Sequence, residues 1–427
     1  MKITVNSPDG LGDFVLRIPF FEALRDAGHE LQILMRPPAS ELAREVLPTA
    51  HVEQIHEDPY ARLVRFRRRP FVRELKKIAA FAPDLLVIAA FQQSFFDEIC
   101  LARLPRRFRV AGFRCAEAFW STEANIPPQE IAKQFSIWAE VKTDCAELDK
   151  NRLLASEILK FSIPKKRVRI SPSPKAMEAA REVLRQNQIT EGGYWVVCAG
   201  ARPGLEIKDW GEENWAKALG QIALETRTPL LFVGNEAEAP SIDRLRTSLP
   251  KGSVSLNLAK SPPSILTTFG LIALSEGFIG RDSGPMHLAA ASSRPILAIF
   301  SGSHWGRFLP ETNDAVIVTR KVPCQGCLGY CHLPEPFCVR RVTVERFLEG
   351  WRILRNHGRQ TSHVLEIPID DDLRGEIAES AHGRFRPLAH EARRQAFEAG
   401  RAINLLDTAG IGIRLLARCN FRKRLLP

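Results

Sequence analysis

Apolar residues along this chain alternate between short continuous runs and stretches of helical spacing. Lys2–Asn6 is a short apolar run, after which Phe14, Val15, Ile18, Phe21 and Leu24 recur three or four apart and stop at Gly28. The first pattern predicts a strand and the second a helix with one covered face. Leu31–Met35 predicts the next strand, Ser40–Leu47 a helix, and Phe71–Phe81 a basic amphipathic helix. Asp84–Ala90 (DLLVIAA) is apolar without a break, as expected of a strand covered on both faces. Arg109–Phe113 predicts a further strand. From Thr122 to about Pro174 the periodicity weakens, and the basic, proline-punctuated Lys165–Pro174 (KKRVRISPSP) marks a boundary.

The alternation then restarts. Tyr194–Gly200, Leu230–Gly234, Val254–Leu258, Phe278–Arg281 and Ile296–Ser301 read as strands. Trp215–Thr226, Ser264–Ser275, Met286–Ser292 and Val344–His357 read as helices. Two successive βα series predict an α/β protein of two Rossmann-like domains facing a cleft, spanning 1–170 and 171–358. Residues 359–427 stand apart as a basic, partly helical C-terminal extension. Ligands of open α/β sheets sit at the carboxyl ends of strands, so the loops after strands are where chemistry is expected.

The composition is that of a folded globular chain: 427 residues, 45% hydrophobic and 26% charged. Sixty Lys and Arg against 49 Asp and Glu leave a formal charge of +11, which favours an anionic partner. The basic residues cluster. Arg62 to Lys77 holds Arg62, Arg65, Arg67, Arg68, Arg69, Arg73, Lys76 and Lys77 against Glu74 alone, and residues 384–427 carry ten Lys or Arg against three acids. Either cluster suits an anionic membrane surface, where each cation near the surface adds about 1 kcal/mol. The interleaved Ile403, Leu405, Leu406, Ile411, Ile413, Leu415 and Leu416 give the second cluster an amphipathic character. The N-terminus has no apolar run of a secretory signal. The longest uncharged stretch, Ser261–Ser275, is short of the roughly 20 residues a bilayer span needs. A cytoplasmic protein, peripheral at most, is expected, and its nine cysteines are expected to be thiols or ligands.

Four segments carry candidate chemistry. Gly10-Leu11-Gly12-Asp13 joins the first strand to the first helix, where glycines permit a tight turn and Asp13 favours the helix dipole. Gly200 to Trp210 (GARPGLEIKDW) places Arg202 and Lys208 after a strand, where a lysine can neutralise a phosphate leaving group. Asp282-Ser283-Gly284-Pro285-Met286-His287 leads from strand into helix. Ser283 suits a cap, Pro285 the first turn, and the free N–H groups of such a helix start suit a diphosphate. Cys324-x2-Cys327-x3-Cys331-x6-Cys338 resembles a metal ligand set, zinc first. Asp370-Asp371-Asp372 contains an Asp-x-Asp pattern but reads as a solvated charge run.

These motifs, in this order, resemble glycosyltransferase family 9, the ADP-heptose:lipopolysaccharide heptosyltransferases. The family's Gly-Asp turn is matched by Gly12-Asp13, its Lys and following Trp by Lys208-Asp209-Trp210, and its Asp-(Ser/Thr)-Gly-Pro-Met-His-Leu-Ala-Ala-Ala by Asp282 to Ala291 without a break. The cysteine segment looks like that of the second-heptose branch. The resemblance covers about residues 1–357. It implies the GT-B fold, with the acceptor on the N-terminal half, the nucleotide-sugar on the C-terminal half, and inverting transfer without a metal cofactor. It implies Asp13 as general base, Lys208 on the departing diphosphate, and Ser283 and Gly284 near the phosphates, with Arg202, Ala201 or Gly204 meeting them from a loop longer than is typical of the family. Asp282 would hold donor-sugar hydroxyls, His287 the donor, and Glu236 the ribose, with Glu238 competing for that role. Gly12, Arg67 and Arg68 would face an anionic, lipid-linked saccharide on the inner leaflet. The same fold with another nucleotide-sugar is the nearest alternative. A basic nucleic-acid binder with a cysteine metal site is a second, but no recognition-helix, RRM or KH pattern accompanies it, so no nucleic-acid partner is expected.

Overall fold

A computed structural model describes the chain except for residues 61–69, 92, 105–106, 115–131, 143, 201–205, 328–330, 332, 334, 357–361, 369–372 and 375–427. The described chain forms two compact α/β units that meet in sequence at Lys166 and Arg167.

The first unit is a six-stranded sheet, all neighbours parallel, in the order β3-β2-β1-β4-β5-β6. Its elements are β1 (Lys2–Ser7), α1 (Leu11–Asp26), β2 (Glu30–Met35), α2 (Ala39–Val46), β3 (His51–Gln54), α3 (Val72–Phe81), β4 (Leu85–Ile88), α4 (Phe95–Arg103), β5 (Arg109–Arg114), β6 (Ile137–Glu140) and α5 (Glu147–Leu159). The inner strands β1 and β4 are buried almost throughout, which is why β4 reads as an unbroken apolar run, while β1 buries the polar Thr4, Asn6 and Ser7 as well. Helix α1 buries Phe14, Val15, Leu16, Arg17, Ile18, Phe20, Phe21 and Leu24 and packs on α5.

The second unit is a seven-stranded parallel sheet in the order β13-β12-β11-β10-β7-β8-β9. It comprises α6 (Pro174–Gln186), β7 (Trp195–Cys198), α7 (Glu212–Thr226), β8 (Leu230–Phe232), α8 (Ala239–Thr247), β9 (Ser255–Asn257), α9 (Ile265–Ala273), β10 (Gly277–Arg281), α10 (Gly284–Ala291), β11 (Ile296–Ile299), β12 (Ala315–Arg320), α11 (Phe337–Arg340), α12 (Val344–Asn356) and β13 (His363–Ile367). Tryptophans dominate its core: Trp195 meets Trp351 edge-on at 4.9 Å between ring centroids, and Trp210 meets Trp215 at 4.9 Å and Phe347 at 4.8 Å.

Several elements depart from the sequence pattern. The weakly periodic stretch before Pro174 holds β6 and α5. Helix α5 buries Glu147, Lys150 and Asn151 beside Leu148, Leu154 and Ile158, so its covered face does not look apolar in the sequence. The second sheet also runs past residue 358, because β13 pairs in parallel with β12. The extension expected from 359 onward therefore begins inside the fold. The acidic run 370–372 and the basic stretch 384–427 lie outside the described residues. Among the described residues no helix is long and apolar enough to cross a membrane.

Candidate functional site

In the second unit the strand order reverses between β7 and β10, and a doubly wound sheet offers its ligand crevice outside the carboxyl ends at such a point. Lys208 follows β7 and Asp282 follows β10. Their side chains meet with Lys208 Nζ 2.6 Å from Asp282 Oδ2. Glycines let the two strands approach this closely: a Cβ on Gly280 would lie 2.8 Å from the Cys198 carbonyl oxygen.

Lys208 is held by the residues after it. Trp210 is fully buried and donates its indole N–H to the Val342 carbonyl at 2.7 Å. Asp209 pairs with Arg340. Gly211, at φ +100°, makes the turn into α7, in a backbone conformation that side chains resist. The Lys-Asp-Trp triplet thus works as an anchor, a strut and a cation. Replacing Trp210 by alanine is expected to lower the stability of this unit by about 3–5 kcal/mol, read as a lower denaturant midpoint. An unchanged midpoint would mean that Trp210 does not anchor the turn.

Asp282 is 6% exposed. Burial pushes its carboxyl upward, but the Lys208 ammonium and then His287 and His304 outweigh that, and the group is held below the ordinary carboxylate range. The stabilisation from this pairing is present above the ordinary carboxylate range and is lost as pH falls through the lowered value. Unfolding midpoints of this unit are therefore expected to fall in acid, and an Asp282→Asn variant is expected to show less of that acid dependence. Equal acid dependence in both proteins would contradict the assignment.

Helix α10 starts at Gly284 beside this pair. Ser283 takes the cap position, but its hydroxyl makes no cap hydrogen bond, contrary to the expected role. His287 is buried one turn in, its ring 6.4 Å from that of Phe308. Sequence reasoning missed the loop after β11. There Ser303 bonds His304 Nδ1 at 3.1 Å, His304 and Arg307 both lie against the Phe308 ring, and Ser301 bonds Ser303. Its place after a strand next to β10 was the available signal.

The two candidate glutamates separate cleanly. Glu236 is exposed on the turn after β8. Glu238 is buried, accepting from Arg281 Nη2 at 2.5 Å and from the Asn235 N–H at 2.9 Å. This Arg281–Glu238 pair, tucked against Gly200 and Gly234, was not foreseen.

In the first unit the order reverses between β1 and β4, and Gly12 and Asp13 stand after β1. Asp13 occupies the third position of α1, and its Oδ2 accepts from the Gly10 N–H at 3.2 Å. Asp97, at the corresponding place in α4 after β4, is fully buried. It accepts from Asn6 Nδ2, Ser94 N and Ser94 Oγ, and burial leads its rise to about 6. Arg67, Arg68 and Arg202 lie outside the described residues.

The four cysteines of the 324–338 segment are free thiols, and Cys324, Cys331 and Cys338 pack at the edge of the tryptophan core. Burial, and then its neighbouring thiols, push Cys324 far above the usual range. Burial pushes Cys338 up to about 12, with the Gly302 N–H opposing the rise. Cys331 points at the Leu333 and Glu335 carbonyls, 3.8 and 3.6 Å away. Among the described residues no three His, Cys, Asp or Glu side chains are arranged to hold a metal ion. The expected zinc ligands are therefore neighbours here without forming a cage.

With this geometry in view, residues 131–336 match the sequence profile of glycosyltransferase family 9 (heptosyltransferase). The match spans 206 of the 427 residues, just under half of the chain. The matched region includes Lys208, Asp282, His287, Cys324, Cys327 and Cys331, while Gly12 and Asp13 precede it and Cys338 follows it. Lipooligosaccharide heptosyltransferase 2 of Campylobacter jejuni is 26% identical over 155 residues, 35% of this chain and 48% of that protein. The chain thus spans about half the length of that curated relative.

Solved structures share the fold more widely. Escherichia coli ADP-heptose LPS heptosyltransferase II is 16% identical with a TM-score of 0.60, covering 83% of this chain and 98% of that one. Escherichia coli heptosyltransferase WaaC, solved with ADP-2-deoxy-2-fluoro heptose, is 16% identical with a TM-score of 0.54, covering 82% and 99%. The chain has the GT-B fold.

Proposed function

We propose that this chain is an inverting glycosyltransferase that moves a heptose from ADP-heptose to an anionic, lipid-linked saccharide of the lipopolysaccharide inner core, at the cytoplasmic face of the membrane and without a metal cofactor. The observation that carries the reading is the Lys208–Asp282 pair at the switch point of the second sheet, beside the start of α10. A diphosphate entering there meets a cation, free N–H groups and the positive end of a helix. Lys208 turns from Asp282 to the phosphates and stabilises the charge that grows on them as the sugar leaves. The freed Asp282 carboxylate accepts hydrogen bonds from sugar hydroxyls, with His287 alongside, and Glu236 accepts from the ribose.

On the acceptor side Asp13 takes the proton. As the acceptor oxygen bonds the anomeric carbon, the bond from that carbon to the diphosphate oxygen breaks and ADP leaves with the electron pair. A helix N-terminus keeps Asp13 ionised, and such a weak base takes the proton during attack rather than before it. Gly12 lets the acceptor approach the backbone, and the basic segment containing Arg67 and Arg68 meets the acceptor's charge.

The test is thermal unfolding with ADP, UDP, GDP and CMP, in EDTA. A ligand that binds only the folded state, at 100 times its dissociation constant, stabilises by about 2.7 kcal/mol. Selective stabilisation by ADP in EDTA is expected. Preference for another nucleotide would remove the ADP-heptose donor, and a shift that needs a divalent ion would remove metal independence. No shift with any nucleotide would overturn the donor-site assignment.

A further inference from the structure

Helix α1 carries an arginine with no exposed surface, one turn after the proposed base. Arg17 spends its guanidinium on four acceptors from four parts of the first unit. Nη1 donates to Ser7 Oγ at 2.5 Å, at the end of β1. Nη2 donates to Asp9 Oδ2 at 2.8 Å, in the β1–α1 turn, and to the Ala89 carbonyl at 2.8 Å, just past β4. Nε donates to Asn151 Oδ1 at 3.2 Å, on α5. Glu147, also on α5 and fully buried, stands 3.6 Å away. A lysine cannot reproduce this, because only a planar fork of donors spans acceptors in fixed directions.

The same turn is gripped from its other side. Tyr60 donates its hydroxyl to Asp9 Oδ1 at 3.1 Å, and Arg36 Nε donates to the Pro8 carbonyl at 2.6 Å. The next residue, Gly10, gives its N–H to Asp13. The chain of contacts therefore runs from Arg17 through Asp9 and Gly10 to the Asp13 carboxylate. Asp13 and Arg17 are also four residues apart on one helix, with the acid first, the favourable arrangement for a shared face.

We propose that Arg17, acting through Asp9, is the positioning residue for the Asp13 carboxylate. This rests on the reading of Asp13 as the base of a sugar transfer. Arg17 touches no substrate in this scheme. It fixes where the turn after β1 places the base, and a misplacement of 1 Å costs about 10²-fold in rate. Its effect should therefore fall on turnover, with nucleotide binding in the second unit untouched.

The experiment compares Arg17→Lys, Asp9→Asn and Tyr60→Phe with the full-length parent, reading kcat, donor KM, ADP dissociation constant and unfolding midpoint. Arg17→Lys is expected to lose about 10²-fold in kcat with donor KM and ADP affinity unchanged. Asp9→Asn and Tyr60→Phe keep Arg17 in place, so they decide the matter if Arg17→Lys does not fold. Both are expected to lower kcat at a parental KM, Tyr60→Phe at a near-parental midpoint and Asp9→Asn at a lowered one, because the buried Arg17 loses a carboxylate partner. Parental kcat in folded Asp9→Asn and Tyr60→Phe would overturn the proposal, as would rate losses that only follow the unfolding midpoint. Failure of the underlying reading looks different: the parent transfers no sugar, or Asp13→Asn retains the parental rate.

Discussion

Asp13→Asn is expected to lower kcat by about 10³-fold while leaving ADP binding and the unfolding midpoint near parental values. General-base catalysis is worth about 10²–10⁴-fold, and the amide cannot take the proton. It can still accept the Gly10 N–H through its oxygen, so the turn should hold. Losing the negative charge from the first turn of α1 costs about 0.3–1 kcal/mol, a small change in stability. The decisive measurement is single-turnover transfer from a nucleotide-heptose to a lipid-linked acceptor, beside ADP binding by calorimetry. A variant that transfers at the parental rate would remove Asp13 from the chemistry.

Lys208→Ala is expected to strike twice. Removing one preorganised donor from a site of developing charge costs about 10²–10³-fold in kcat. It also strands Asp282, whose carboxylate is buried and has Lys208 as its close cation. Breaking a buried pair by removing one partner costs about 3–5 kcal/mol, and Lys208 is 23% exposed, so about 3 kcal/mol is the expected loss. The double variant Lys208→Met with Asp282→Asn separates the two effects. It should recover most of the stability, because no buried charge is left unpaired, and none of the activity. Recovery of both, measured by denaturant unfolding and by transfer assay, would mean the pair is only structural.

The unbroken motif from Asp282 to Ala291 was legible because its residues are adjacent and each has a local job: strand end, turn and helix start. Strands β4 and β7 were legible because burial on both faces demands continuous apolar residues. Helix α5 was not. Its buried face carries Glu147, Lys150 and Asn151, and these became acceptable only when Arg17 and the rings of Phe91 and Phe113 arrived from elsewhere in the chain. Likewise β13 offers five unremarkable residues, and only the open edge of β12 makes them a strand.

The choice between Glu236 and Glu238 shows the same division. By sequence they are two carboxylates one residue apart. In the fold Glu238 turns inward to Arg281, 43 residues away, and Glu236 stays at the surface. The sequence by itself determined the two βα series, the motifs and which residues are put forward as base and cation, because these depend on periodicity and on neighbours along the chain. Tertiary structure alone decided which cation meets which acceptor. Lys208 reaches Asp282 across 74 residues and Arg17 reaches Asn151 across 134. Such pairs follow from the order of strands in a sheet, which no local pattern of residues encodes.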